Sequence, residues 1–325
     1  MIAYIVRRIA YAIPILIGVN VVTFLLFFAV NTPDDMARMH LGLKRVTPEA
    51  IAKWKEERGY DKPLLLNNSS PGARKLTETI FFEKSVRMFV FDLGAADDGR
   101  DIAREIRTRM WPSLAVALPV FLVGLMAYLT LALIVAFFRA TYIDFWGVVI
   151  CVAMMSISTM FYIIGGQYLV SKLLHLVPIS GFQGGFDAVK FLVLPVTIGV
   201  IGGLGGATRL YRTFFLEETA KDYVRTARAK GLPEAAVLFR HVLKNAMIPI
   251  LTGAVVAIPT LFMGSLITES FFGIPGLGSY TIDAIRSQDF AVVRSMVFIG
   301  SLLYIVGLIL TDISYTLVDP RVRFE

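Results

Sequence analysis

The 325-residue sequence has a single cysteine, Cys151. One thiol cannot close an intramolecular disulfide and gives no basis for a thiolate metal centre. Histidine is almost as scarce, with only His40, His175 and His241. No G-x-x-x-x-G-K-S/T phosphate loop and no H-E-x-x-H pair occurs anywhere. The chain therefore carries no motif for nucleotide hydrolysis or zinc peptidase chemistry, and no catalytic or metal site is assigned. No repeat of 20–50 residues or low-complexity tract stands out. Charge is also thin, at 18% of residues.

What is abundant is apolar surface. Hydrophobic residues make up 56% of the chain and the mean hydropathy is +0.68. One water-facing fold cannot bury that much, so the expected solvent is lipid. A hydrocarbon core takes about 20 apolar residues to cross as a helix. Six segments qualify, at roughly 9–30, 113–138, 146–170, 191–208, 247–268 and 295–318. The expected fold is an all-α polytopic membrane protein with six transmembrane helices. The first apolar run is long and lacks a small-residue cleavage site, so it reads as an uncleaved span.

The net charge of +7 is unevenly placed. Loop 209–246 carries Arg209, Arg212, Lys221, Arg225, Arg228, Lys230, Arg240 and Lys244 against Glu217, Glu218, Asp222 and Glu234. Loops 171–190 and 269–294 are poor in Lys and Arg. The positive-inside rule then puts loop 209–246 and both termini in the cytoplasm. The chain divides into an N-terminus and first span (1–30), an exterior subdomain (31–112), a membrane core (113–318) and a cytoplasmic tail (319–325). Within the exterior segment, Thr47-Pro48-Glu49 signals a helix start and Gly59 its end. The three histidines fall on opposite sides of the membrane and cannot share one metal.

Gly199–Gly206 reads GVIGGLGG, with glycines four apart that permit close helix packing. Pro119, Pro195, Pro249 and Pro259 fall in or at the start of spans, as static kinks or as breaks needed for motion. Asp312 is the one acid well inside a predicted span. It is a candidate intramembrane polar site, for an interfacial or inter-helix hydrogen bond or for a proton relay.

The stretch 223–250, YVRTARAKGLPEAAVLFRHVLKNAMIPI, predicts two short amphipathic helices joined at an elbow. Gly231 takes positive φ, Pro233 opens the second helix and Glu234 complements its dipole. Ala235, Leu238, Val242 and Ala246 form an apolar stripe. On spacing alone, this hairpin either lies on anionic lipid headgroups or docks a protein partner.

The Tyr-Val-x-Thr-Ala-x-Ala-Lys-Gly wording resembles the cytoplasmic EAA loop of ABC importer permeases, in the oligopeptide/dipeptide/nickel permease family. Arg225, Thr226 and Ala227 occupy the E-A-A positions, although only Ala227, Gly231 and Leu243 match the general form. The resemblance spans the chain. MIAYIVRRIAYAIPIL, Arg87–Leu118, Val177-Pro178-Ile179-Ser180-Gly181, the run Gly264–Glu269 through Phe272–Gly278, and the tail DISYTLVDPRVRFE are all similar to family motifs. FDLGAADDG departs from the usual exterior wording. The tail and the long exterior segment resemble the subgroup that includes the Yej-type peptide and microcin importer.

The resemblance implies a type I permease core of five helices with a peripheral first span, in a bacterial inner membrane. The protein would be one of two homologous membrane subunits of an ATP-driven importer, with lipid around it and no nucleic acid. It would work with two ATPase subunits and a periplasmic substrate-binding protein. The chain itself would hold no cofactor, since ATP and Mg belong to the ATPases. Arg225, Thr226, Ala227, Arg228, Gly231, Leu232 and Pro233 would form the ATPase-coupling surface. Glu269, Pro275 and Gly276 would lie at the exterior mouth, near the binding protein or a substrate amine. The other reading of Glu269 is a helix-end residue bonded to nearby loop amides. Two rival functions are an ion-gradient-driven secondary transporter and a membrane-anchored lipid- or nucleic-acid-binding protein.

Overall fold

The computed structural model describes residues 2–42, 46–69, 71–72 and 74–318, so the expected tail 319–325 lies outside the described residues. The described chain is helical, and Ala95–Asp101 forms only an isolated bridge. Five helical segments are long and apolar enough to cross a membrane: Val6–Phe28, Ile102–Phe137, Ala188–Thr219, Glu234–Met263 and Phe290–Ser314. Beside them stands a bent pair, Tyr142–Ser156 and Thr159–Leu173, with 87° between its halves, which makes six crossings if the pair counts as one broken span. The chain is an all-α polytopic membrane protein.

Two expectations need correction here. Segment 146–170 is not one continuous helix. Ile157 and Ser158 adopt extended backbone and interrupt it. Ser156 also bonds back to the Val152 carbonyl at 2.9 Å, a local contact that competes with helical pairing. The fourth segment does not stop at 208. Its helix runs to Thr219, because Arg209, Leu210 and Thr213 sit on an exposed face that needs no apolar residue.

The main helices are α1 (Ile2–Val30), α2 (Pro33–Leu41), α3 (Pro48–Arg58), α4 (Ile102–Phe137), α5 (Tyr142–Ser156), α6 (Thr159–Gly166), α7 (Ala188–Thr219), α8 (Asp222–Ala229), α9 (Glu234–Val237), α10 (Leu243–Thr260), α11 (Leu266–Phe272), α12 (Leu277–Ser287) and α13 (Phe290–Val318). They fall into two compact units. One comprises 1–109 with 280–309, and the other 110–279 with 310–325. Residues 280–309 thus group with the N-terminal part of the chain, unlike the expected 113–318 core.

In the first unit the end of α1 is anchored by aromatic packing. Phe24 and Phe28 join Met36, Ile51, Trp54, Tyr60 and Ile80 in one buried cluster. Thr47 caps α3 by accepting from the Ala50 amide, and Gly59 closes it with φ 67°. Asp289 caps α13 through the Val292 amide at 3.1 Å, while its other oxygen accepts from the Asp97 amide at 2.7 Å.

In the second unit the glycine-rich run brings helices together through one of the two pairs that the spacing implied, Gly199 and Gly203, and not through Gly202 and Gly206. A Cβ on Gly199 would press on Val120 at 2.8 Å, and one on Gly203 would strike the Tyr128 hydroxyl. A Cβ on Gly205 would meet the Cys151 carbonyl at 2.5 Å. Gly202 and Gly206 have nothing within 4 Å and are not packing glycines.

Candidate functional site

The sequence 220–250 folds as an elbow. Only Ala220 and Lys221 separate α7 from α8, so most of the expected 209–246 loop is helix. Gly231 has φ 76° and follows the end of α8, where an L-residue would be strained. Pro233 precedes α9 with extended backbone, one position earlier than a first-turn proline. Arg228 reaches across the turn to Glu234 with two charge-assisted bonds, Nε–Oε2 at 3.0 Å and Nη2–Oε1 at 2.5 Å. Such a paired fork fixes geometry as well as charge.

The second arm is not a separate short helix. From Glu234 it passes through a π turn at Leu238–Val242 and continues to Met263. The apolar stripe explains this, since Leu238, Val242, Ala246 and Ile250 are all buried along one line with no stop signal between them. They form one core with Val224, Ala227, Val237, Phe215, Ala132 and Ala136. The stripe is therefore occupied by the chain's own α4 and α7. Ala227 is buried and Leu232 packs on the same core, so these two support the elbow from inside. Ala235, expected in the stripe, is exposed. The outward face presents Arg225, Thr226, Arg228, Gly231 and Pro233, with Phe239 beside them at 60% exposed.

An ion pair missed by sequence reading holds α5 to α7. Arg212 donates to Asp144 Oδ1 through Nε at 2.9 Å and Nη2 at 2.6 Å. Asp144 Oδ2 accepts from the Ala140 amide at 3.0 Å, steadying a residue with φ 62°. Both side chains are largely buried. Removing one partner strands the other charge, which costs up to about 3–5 kcal/mol in a buried pair. Asp144→Ala is expected to destabilise the chain by roughly 2–3 kcal/mol. The double variant with Arg212→Met should recover part of that loss. A double-mutant cycle on thermal unfolding measures it, and strictly additive losses would mean the pair carries no coupling.

Above the elbow core lies a cavity of about 490 Å³, lined by α4, α7 and the residues around 260–269. Its surface is mostly apolar, with Val116, Val120, Phe121 and Ile198 alongside Tyr128 and Thr159. Leu125 and Tyr211 line the cavity and also pack on the elbow core.

Glu269 sits in the cavity wall but has 0% of its surface exposed. Oε1 accepts from the Ser265 amide and Oε2 from the Ser279 amide, each at 3.1 Å. The Ser113 hydroxyl and Gly278 amide are further donors to it. Ser113 Oγ in turn accepts from the Leu277 amide at 2.7 Å. Burial pushes the Glu269 carboxyl above its ordinary range, and the four donors oppose that shift. This arrangement corrects the exterior-mouth expectation. A docked protein or peptide amine has no access to the carboxylate, whose ligands are the chain's own loop amides. Gly276 is buried against it, and only Pro275 of that trio faces outward. Asp312 is half-buried on α13, away from any resolved cluster of acids or histidines among the described residues.

These features define a membrane component with a helical elbow packed beside an apolar cavity. Residues 106–324 match the family of binding-protein-dependent transport system inner membrane components, and residues 1–70 match the N-terminal model for such membrane components. The chain belongs to this family and is a multi-pass inner-membrane transport component. It is 31% identical to the di/tripeptide transport system permease protein DppB of Pseudomonas aeruginosa, over the full length of both chains. It is 28% identical to the dipeptide transport system permease protein DppB of Escherichia coli and 27% to the oligopeptide transport system permease protein AppB of Bacillus subtilis, again over both full lengths.

Proposed function

We propose that this chain is one of two homologous membrane subunits of an ATP-driven peptide importer. A separate binding protein delivers the substrate from outside, and two ATPase subunits dock at the 222–239 elbow. Both termini and the elbow face the cytoplasm, a reading that the lysine and arginine distribution supports. The full-length similarity to chains named as peptide transport permeases supports the substrate class.

One observation carries the coupling role. Leu125 and Tyr211 belong at once to the cavity wall and to the packing around the elbow. A push on the elbow's outward face cannot be absorbed locally, because its inward face is close-packed. The push passes into α7 and into the helical run that leaves the elbow for Met263. The cavity walls move with those helices. Ordinary ATP chemistry stays in the partner chains.

The test is reconstitution of the chain with its second membrane subunit, the ATPases and the binding protein. Peptide uptake into vesicles should require ATP and survive collapse of the proton gradient. Uptake that continues without ATP and stops with the gradient would favour an ion-coupled transporter instead.

A further inference from the structure

Residues 80–91 run down the side of two membrane helices of the first unit instead of over their ends. Ile80 is fully buried in the cluster at the end of α1, and the Phe81 ring stands 5.0 Å from that of Phe24. The chain then goes deeper. The Asn20 side-chain amide donates to the Ser85 carbonyl at 3.4 Å and lies 3.8 Å from the Met88 sulfur. Ser85 and Met88 are both buried. The Phe89 ring meets Phe298 of α13 edge-on at 5.4 Å. Asn20 and Phe298 belong to the apolar segments Val6–Phe28 and Phe290–Ser314. At 1.5 Å per residue, each lies about 12 Å along its helix from the near end of its segment.

A short 3-10 helix, Val86–Val90, is the floor of this descent. Phe91 turns the chain back. Its amide donates to the Met88 carbonyl at 3.0 Å, and the Asp92 amide donates to the Arg87 carbonyl at 3.2 Å. Phe91 has φ 59°, in the left-handed region, where a bulky residue is an outlier. Strain of this kind points to a task for the residue that bears it. Here it accompanies an outward ring, since Phe91 is 58% exposed and Val90 beside it 75%.

The tip carries no net charge. Over residues 85–93 the only ionised side chains are Arg87 and Asp92, which pair with each other at 3.4 Å. Over the same stretch of α1, Val22, Leu25 and Leu26 are also exposed, as on a helix that faces lipid. At that depth the solvent is the bilayer. We propose that residues 86–91 form a re-entrant foot that inserts Val90 and Phe91 into the lipid interface. Aromatic and apolar residues that enter this layer by about 5–10 Å anchor a segment without crossing the membrane. The Arg87–Asp92 pair forms the polar rim of the foot. Part of segment 31–112 is thus immersed in lipid, although its apolar run is too short to register as a span.

The proposal rests on the membrane fold and not on the transport reading above. Val90→Cys places a spin label on the tip of the full chain, reconstituted in vesicles of phosphatidylethanolamine and phosphatidylglycerol. Its collisions with oxygen, which enters lipid, are compared with those of a nickel chelate, which stays in water. The parent chain, treated alike, reports the background from buried Cys151. The oxygen-to-nickel ratio at 90 should be several times that at Lys53→Cys, on an exposed position of α3. Phe91→Asn keeps the turn, because asparagine tolerates this backbone, and should lower the ratio at 90. A ratio at 90 equal to that at 53 would place the tip in water and overturn the proposal. Exclusion of both reagents would place a protein surface over the tip and overturn it equally. A ratio unchanged by Phe91→Asn would remove the ring from the anchor.

Discussion

Gly231→Val should insert into the membrane normally and abolish coupled transport. Gly231 has φ 76° and open space around it, with nothing within 4 Å of a built Cβ. The expected cost is therefore conformational rather than steric. An L-residue in this region loses about 1–2 kcal/mol, and a β-branched one is a true outlier there. The chain can relieve the strain only by reshaping the turn. Reshaping displaces Pro233 and Glu234 and pulls apart the Arg228–Glu234 fork. The outward face then no longer presents one fixed surface. Peptide uptake should fall to background, and substrate should no longer stimulate ATP hydrolysis, while the amount of inserted subunit is unchanged. Gly231→Ala should show a partial loss. Normal coupled uptake by the valine variant would remove the elbow from the mechanism.

Gly276→Ala should cause the largest loss of stability. A Cβ there falls onto the Glu269 carboxylate and the Ser113 hydroxyl. Neither can step aside cheaply. Glu269 is held by the Ser265 and Ser279 amides, and Ser113 is held by the Leu277 amide. Overpacking of this kind costs about 1–3 kcal/mol, and each buried hydrogen bond left unmade adds about 1–3 kcal/mol. A total of roughly 3 kcal/mol or more is expected, seen as lower folded yield and a lower melting temperature. Gly202→Ala is the control. It faces open space, so its stability should stay within about 0.5 kcal/mol of the parent. Equal behaviour of the two variants would mean that the Glu269 nest does not organise residues 264–279.

Much of this was legible in the sequence, because lipid makes hydropathy a strong signal. The apolar runs located the five long membrane helices and the bent pair, and Thr47 and Gly59 marked the ends of α3 as capping chemistry requires. The break at Ile157-Ser158 was invisible, since serines and isoleucines fit an apolar run and a bend alike. The end of α7 was misplaced because apolar length measures the membrane and not the helix. Glu269 could be read two ways until Ser113, far away in the chain, was seen beside it. The Asp144–Arg212 pair spans 68 positions, and nothing local in either residue announces the other. Chain-distant polar contacts leave no periodicity, and they account for most of what the sequence withheld.

The elbow's outward face can be interrogated with unusual cleanliness, because Cys151 is the only native cysteine and is buried. Thr226→Cys places a thiol on that face, and a short bifunctional reagent then reports what lies against it in the assembled transporter. The account expects a cross-link between residue 226 and an ATPase subunit, with a yield that changes when ATP is bound. A thiol at 226 that reacts freely with a small reagent in the assembled, active complex but never cross-links to an ATPase would contradict it.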